Sequence, residues 1–287
     1  MSSVPSPTER PLGRVAVLGL GLMGGSVARA ISSLDLAAKV TGWSPLATER
    51  DAALTAGALT LAAGHWPEAV SDADLVILAA PLDATRRLLS SLADAAPETA
   101  TITDVASLKA PVAEVAGAAG LTDRWVGSHP MTGGERSGFW ASRGDLFAGA
   151  RVWIVADESA ADRARAIHGL WTSLGAIPAA IDADEHDRLM AVVSHLPQLV
   201  ANALATVMSE RGVRPDELGP GGRDMTRLAG SSSQMWMDLL ACASPELGES
   251  LRAVGRLTHS LADAIDEGDM DAIDKIMRDT QLWRRRV

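Results

Sequence analysis

Apolar and polar positions divide the chain into two unlike halves. From Arg14 to about Ala180, short apolar or β-branched runs recur: RVAVLG, KVTGW, ADLVILAAP, ATITDV, RWVGSHP, ARVWIVA and AIPAA. Between them lie segments with Ala, Leu and Arg at helical spacing, notably 24–34, 46–57, 83–95 and 107–118. Strands alternating with helices predict βα units around a mainly parallel sheet, with the helices covering its faces. Past Asp182 the strand pattern stops, and Ala-, Leu- and Met-rich stretches run to the end, broken at 212–222, 243–245 and 267–269. This half predicts an all-helical domain. Leu247, Leu251, Val254, Leu257, Leu261 and Ile265 recur at helical spacing, and Met270, Ile273 and Met277 extend the stripe. Such a stripe serves either a monomer core or a subunit interface. Helices this long in a small domain point to the second, a homodimer through the C-terminal helices. The predicted division is 12–180 and 181–287.

Length agrees with two domains, since 287 residues is about twice the usual single-domain size of roughly 150. With 47% hydrophobic and 22% charged residues the chain has ample material for a core, which excludes intrinsic disorder. The 26 Lys and Arg against 36 Asp and Glu leave a net charge of −10. That balance disfavours a nucleic acid or an anionic membrane as general partner, so any anionic ligand must be caught locally. The single cysteine, Cys242, permits no intrachain disulfide and no cysteine-based zinc site. The start, MSSVPSPTERPLG, has Pro and Ser where a signal peptide needs a basic start and an apolar run, and predicts a short disordered lead-in. The apolar stretch 15–23 is broken by Gly19 and Gly21 and falls short of the ~20 residues that cross a bilayer. A cytoplasmic protein is expected.

The first strand runs directly into Gly19-Leu20-Gly21-Leu22-Met23-Gly24 and then a helix-forming stretch, the context that a dinucleotide-binding glycine loop requires. Gly19 permits the tight turn, Gly21 lets the backbone approach a pyrophosphate, and Gly24 allows helix and strand to pack closely. The helix N-terminus, at Leu22 and Met23, adds free N–H groups and partial positive charge. The fold class expected is α/β, an N-terminal Rossmann-type sheet followed by the all-helical dimerisation domain. At the end of KVTGW, where an NAD site usually carries a carboxylate, the chain has Ser44. Serine does not repel a 2′-phosphate and Arg50 follows, which favours NADP slightly over NAD; Glu49 close by keeps NAD open. Ala80 and Pro81, ending the next strand, are expected to form a smooth wall for the cofactor.

The runs VAVLGLGLMGGS, TDVASLK, GSHPMTGGERSG, DLFAGA, HDRLMAVVSHLP and GGRDMTRLAGSSSQMW, in order from about Val15 to Trp236, resemble the prephenate and arogenate dehydrogenase family. The resemblance implies oxidative decarboxylation of a cyclohexadienol acid, with hydride passing to the nicotinamide as the ring aromatises. His129 follows a strand and precedes Pro130, so it is expected at the carboxyl edge of the sheet, where an imidazole can take the hydroxyl proton. The resemblance makes it the catalytic base. Ser107 reads locally as a helix N-cap, and by resemblance as a group that orients the substrate hydroxyl or His129. Arg227 is the expected carboxylate ligand, because a guanidinium offers two parallel hydrogen bonds. Trp236 matches a pocket position of the family. Ser194 and His195 lie in a helix that Pro197 is expected to kink. Gln198 stands where the family commonly has a second histidine, which leaves the choice between a keto-acid and an amino-acid side chain open. Glu135 is expected to close the pocket or bind an amino group. His186, Asp187 and His195 lack metal spacing on one helix face, hydride transfer needs no metal, and they are expected to be structural.

Two other activities fit the same pattern. One is a different hydride-transferring enzyme on this two-domain plan, acting on an amino-substituted prephenate or a β-hydroxy acid. The other is a non-catalytic dinucleotide sensor, against which the joint presence of His129, Ser107 and Arg227 argues.

Overall fold

A computed structural model describes residues 12–134 and 136–285. Most of the expected lead-in, and Glu135, lie outside the described residues. The chain divides into two compact units, one of residues 1–187 with 231–243, the other of 188–230 with 244–287.

In the N-terminal unit, β1 (Arg14–Leu18), α1 (Leu22–Ser33), β2 (Lys39–Trp43), α2 (Ala47–Thr55), β3 (Leu61–Ala62), α3 (Trp66–Val70), β4 (Leu75–Leu78), α4 (Leu82–Ala95), β5 (Thr101–Asp104) and α5 (Ala110–Ala118) follow in βα order. Then come β6 (Trp125–Pro130), β7 (Arg151–Ala156), α6 (Ala161–Ser173), β8 (Ile177–Ala180) and the start of α7 (Ala183–Met190). Among the described residues, eight strands form one sheet in the order β3-β2-β1-β4-β5-β6-β7-β8. All neighbours are parallel except β6 and β7. Because strand side chains alternate, Val15 and Val17 enter one core with Val27, Ile31 and Trp171, while Ala16 and Leu18 enter another with Leu89, Leu92 and Val112. Two cores of this kind require helices on both faces, which is why the strands read as unbroken apolar runs. The runs all appear as strands. β3 and α3, only two and five residues long, are too short for a periodic signal.

The first compact unit extends beyond residue 180, to 187. Asp187 accepts the backbone N–H groups of Lys109 (2.8 Å) and Ala110 (2.9 Å), which ties the first turns of α7 to the sheet unit. The segment 231–243, holding α10 (Ser233–Leu240), returns to pack on α4. Trp236 therefore lies in the first compact unit.

In the other unit, a π turn (Ala191–His195) leads into α8 (Leu196–Glu210), followed by α9 (Pro220–Thr226), a 3-10 turn (Arg227–Gly230), α11 (Glu246–Glu267) and α12 (Met270–Arg284). Gly268, at φ 72°, ends α11 in the left-handed conformation that glycine adopts without strain. The helical run 183–210 is long and apolar enough to cross a bilayer by length and composition. Part of it packs on α11.

Candidate active site

The glycine loop is built as its spacing requires. Gly19 has φ 99°, and a Cβ there would stand 2.3 Å from the Ala79 carbonyl oxygen. A Cβ on Gly24 would lie 1.9 Å from the Gly19 oxygen, so only glycine lets α1 come this close. At Gly21, the N-cap of α1, a Cβ would meet nothing within 4 Å. That position faces open space, as a site for a pyrophosphate must. Beside it lies a cavity of about 660 Å³ lined by Gly19, Gly21, Ser44, Ala80 and Pro81, all expected from the sequence. Leu22 and Met23, in the first turn of α1, pack their side chains against the core. Trp43 and Trp66 also line the cavity and were not anticipated. An apolar cleft with two indoles in its wall beside a helix N-terminus fits a dinucleotide.

Ser44 is not free to greet a phosphate. Its hydroxyl donates to Glu49 at 2.6 Å, its carbonyl accepts from the Arg50 guanidinium, and Glu49 itself lines the cavity. The carboxylate absent from the end of β2 thus returns from the first turn of α2. Arg87, also at the cavity, is paired with Asp83.

His129 sits on β6 beyond the last residue that pairs with β5, at the carboxyl edge of the parallel strands. Its Nδ1 is 2.8 Å from Nε2 of His186, and His186 Nδ1 is 2.7 Å from Asp187 Oδ1. The two rings meet edge to face with centroids 5.0 Å apart. His186 is fully buried. Beneath this row, the buried Lys109 ammonium is ion-paired with Asp104 and donates to the Ser128 carbonyl at 2.8 Å. Burial pushes the Lys109 pKa below its ordinary value, against the pull of Asp104. Asp104 also accepts the Trp125 indole N–H at 3.0 Å, and Ser128 Oγ accepts that of Trp171 at 2.9 Å. The strand carrying His129 is thereby fixed from both sides.

Ser107 is not a helix cap. Helix α5 starts at Ala110 with Lys109 as N-cap, because Pro111 sits in its first turn and the Asp187 carboxylate captures the free N–H groups. Ser107 lies exposed on the loop after β5, and the Nδ1 partner of His129 is His186. His186 and Asp187, expected to be structural, are hydrogen-bonded in series to the expected base. They were missed because 57 residues separate His186 from His129. The adjacent His-Asp pair at a helix start was the available signal.

In the helical unit, the π turn replaces the expected simple kink. Pro197 has no N–H to donate, and the widened turn ahead of it carries Ser194 and the buried His195. Gln198, one turn on, is also buried. Its amide nitrogen donates to the Leu228 carbonyl at 2.8 Å and to Asn202 Oδ1 at 3.2 Å, while its Oε1 has no partner. This bond pins the 3-10 turn that begins with the exposed Arg227 against α8.

Two family models match the chain in tandem. Residues 27–178 match the nucleotide-binding domain of prephenate dehydrogenase, and residues 182–279 its dimerization domain. A prephenate dehydrogenase of Bacillus subtilis is 34% identical over 235 residues, covering 79% of this chain and 63% of that protein. A cyclohexadienyl dehydrogenase of Zymomonas mobilis is 30% identical over 81% of this chain and 82% of its own length. The fold matches that of prephenate dehydrogenase from Aquifex aeolicus, solved with hydroxyphenyl propionate and NAD+, with a TM-score of 0.87 at 24% identity over 95% of this chain and 97% of that one.

Proposed function

The chain belongs to the prephenate dehydrogenase family, and on that premise we propose that it oxidatively decarboxylates prephenate or arogenate, giving 4-hydroxyphenylpyruvate or tyrosine. A bound pyridine nucleotide supplies the electron acceptor. His129 takes the proton of the ring hydroxyl, its pKa class suiting that task near neutral pH. Ser107 offers a hydroxyl that orients the substrate's toward the imidazole. Arg227 grips a carboxylate with two parallel N–H donors, supplying locally the positive charge that an acidic protein lacks overall. Ser194, His195, Gln198, Glu135 and Trp236 are the further substrate-contacting residues that the family resemblance implies. The observation that carries this reading is His129 itself, held at the carboxyl edge of the very sheet whose first strand ends in the glycine loop. Arg227→Ala is expected to raise KM by about 10- to 100-fold with kcat little changed, the signature of lost substrate binding. An effect confined to kcat would contradict that role.

For the nucleotide, the Ser44–Glu49 pair supports NAD, reversing the preference for NADP that Ser44 alone suggested. The Glu49 carboxylate can accept a ribose hydroxyl and repels a 2′-phosphate, while Arg50 and Arg87 are engaged elsewhere. Testing prephenate and arogenate with NAD and NADP, by appearance of reduced nucleotide, is expected to give turnover with at least one acid and NAD favoured in kcat/KM by about tenfold or more, or about 1.4 kcal/mol. Glu49→Gln is expected to narrow that ratio. Folded protein silent in all four mixtures would overturn the function, and faster turnover with NADP would overturn the nucleotide assignment.

The working form proposed is a cytoplasmic homodimer joined through α11 and α12. Ile265, Met270, Met277, Leu282 and Trp283 are more than half exposed in the single chain, which supports a covering partner.

A further inference from the structure

We propose that Arg136, on the loop that follows β6, is a nucleotide-binding residue whose guanidinium engages the pyrophosphate of the bound dinucleotide. The inference rests on the dinucleotide reading of the cavity beside the glycine loop. The far end of this loop is fastened to α1. Phe139 is buried there, and a Cβ on Gly25 would come 2.8 Å from its ring. The Arg29 guanidinium lies 4.4 Å from the centre of that ring and donates to Ser142 Oγ at 2.8 Å, and the Arg143 N–H donates to Ser26 Oγ at 3.0 Å.

Gly134 and Gly138 mark the path of the stretch before these anchors. A Cβ on Gly134 would stand 3.5 Å from Leu22, the first residue of α1, and one on Gly138 would stand 3.6 Å from Glu49 Oε1. The first neighbour is the helix N-terminus at which phosphates bind, and the second is the carboxylate proposed for the ribose. Arg136 is midway in the chain between the two, which brings the phosphate end of the cavity within reach of a long side chain.

Charge singles it out. A dinucleotide's pyrophosphate carries two negative charges, and a helix N-terminus supplies only about half a positive one. Of the neighbouring cations, Arg29 holds Ser142, Arg50 donates to the Ser44 carbonyl, Arg87 is paired with Asp83 and Arg143 with Asp145. Arg136 is exposed and is paired with none of the described residues. A guanidinium can meet two phosphate oxygens with parallel N–H donors, so the bond it forms is directional as well as charged.

The test uses the full-length protein with Arg136→Ala and Arg136→Lys, titrated by tryptophan fluorescence with NAD, ADP-ribose and adenosine. Arg136→Ala is expected to raise Kd for NAD and ADP-ribose by about tenfold, and to leave adenosine, which has no phosphate, unchanged. Added salt is expected to weaken NAD binding less steeply in this variant than in the parent. Arg136→Lys keeps the charge and loses the fork, so it is expected to recover part of the affinity. Unchanged NAD affinity in Arg136→Ala would overturn the proposal. So would an equal loss with adenosine, which signals a disturbed cavity, or a raised KM for the acid alone, which assigns the arginine to the substrate. Parent protein that binds NAD as its variant does rejects only the role of Arg136, whereas parent protein that binds none of the three rejects the nucleotide reading and the proposal with it.

Discussion

His129→Asn is expected to cut kcat by about 10²-fold or more, the loss of a general base, while nucleotide affinity changes little. The asymmetry follows from placement. His129 lies on β6 and is not among the residues that line the nucleotide cavity, which draws on β1, β2, β4 and the helices after them. Asparagine preserves polarity and approximate size at a half-buried position, so the strand and its bonds through Ser128 should persist. It removes the imidazole and with it the edge-to-face contact with His186. Trp43 and Trp66 in the cavity wall provide an intrinsic signal, and NAD titration of tryptophan fluorescence should give matching curves for the variant and the parent. Single-turnover formation of reduced nucleotide then isolates the chemical step. Turnover equal to the parent's would remove His129 from the mechanism, and a matched loss of nucleotide binding would show that the substitution acts through the fold.

What the sequence made legible was local. A strand, three spaced glycines and a helix are contiguous, and Gly19 and Gly24 do the steric work their spacing implied. The αβ alternation and the all-helical second half followed from periodicity over long windows. What stayed hidden depends on residues brought together from afar. The cap of α5 comes from Asp187 in place of Ser107, because an anion can satisfy two helix N–H groups from outside the helix. Glu49 restores an acidic group at the end of β2 through one turn of α2, invisible to a rule that inspects only the strand's last residue. Gln198 is recognisable in the sequence as a change of chemistry, but only the fold shows its amide nitrogen committed to Leu228, with the acceptor oxygen left over. The segment 231–243 returns to the first unit after a long excursion, which no composition shift marks.

Lys109→Met is expected to destabilise the N-terminal unit by about 3–5 kcal/mol, although Lys109 touches no expected ligand and its substitute fits an apolar space. The lysine is fully buried, and its ammonium faces the equally buried Asp104. Desolvation already lowers its pKa, so the pair is worth little as an attraction; what matters is the consequence of breaking it. Methionine leaves the Asp104 carboxylate without a counter-charge, held in place by the Trp125 indole and the Ala106 N–H, and leaves the Ser128 carbonyl without its donor. Ser128 precedes His129, so activity should fall together with stability. The double variant Lys109→Met with Asp104→Asn removes the stranded charge while an amide still bonds the Trp125 ring. It is expected to recover more than half of the loss in a denaturation midpoint, a coupling that separate, additive sites do not produce. If the double variant were as unstable as the sum of its parts, the ion pair would not be what holds this end of the sheet together.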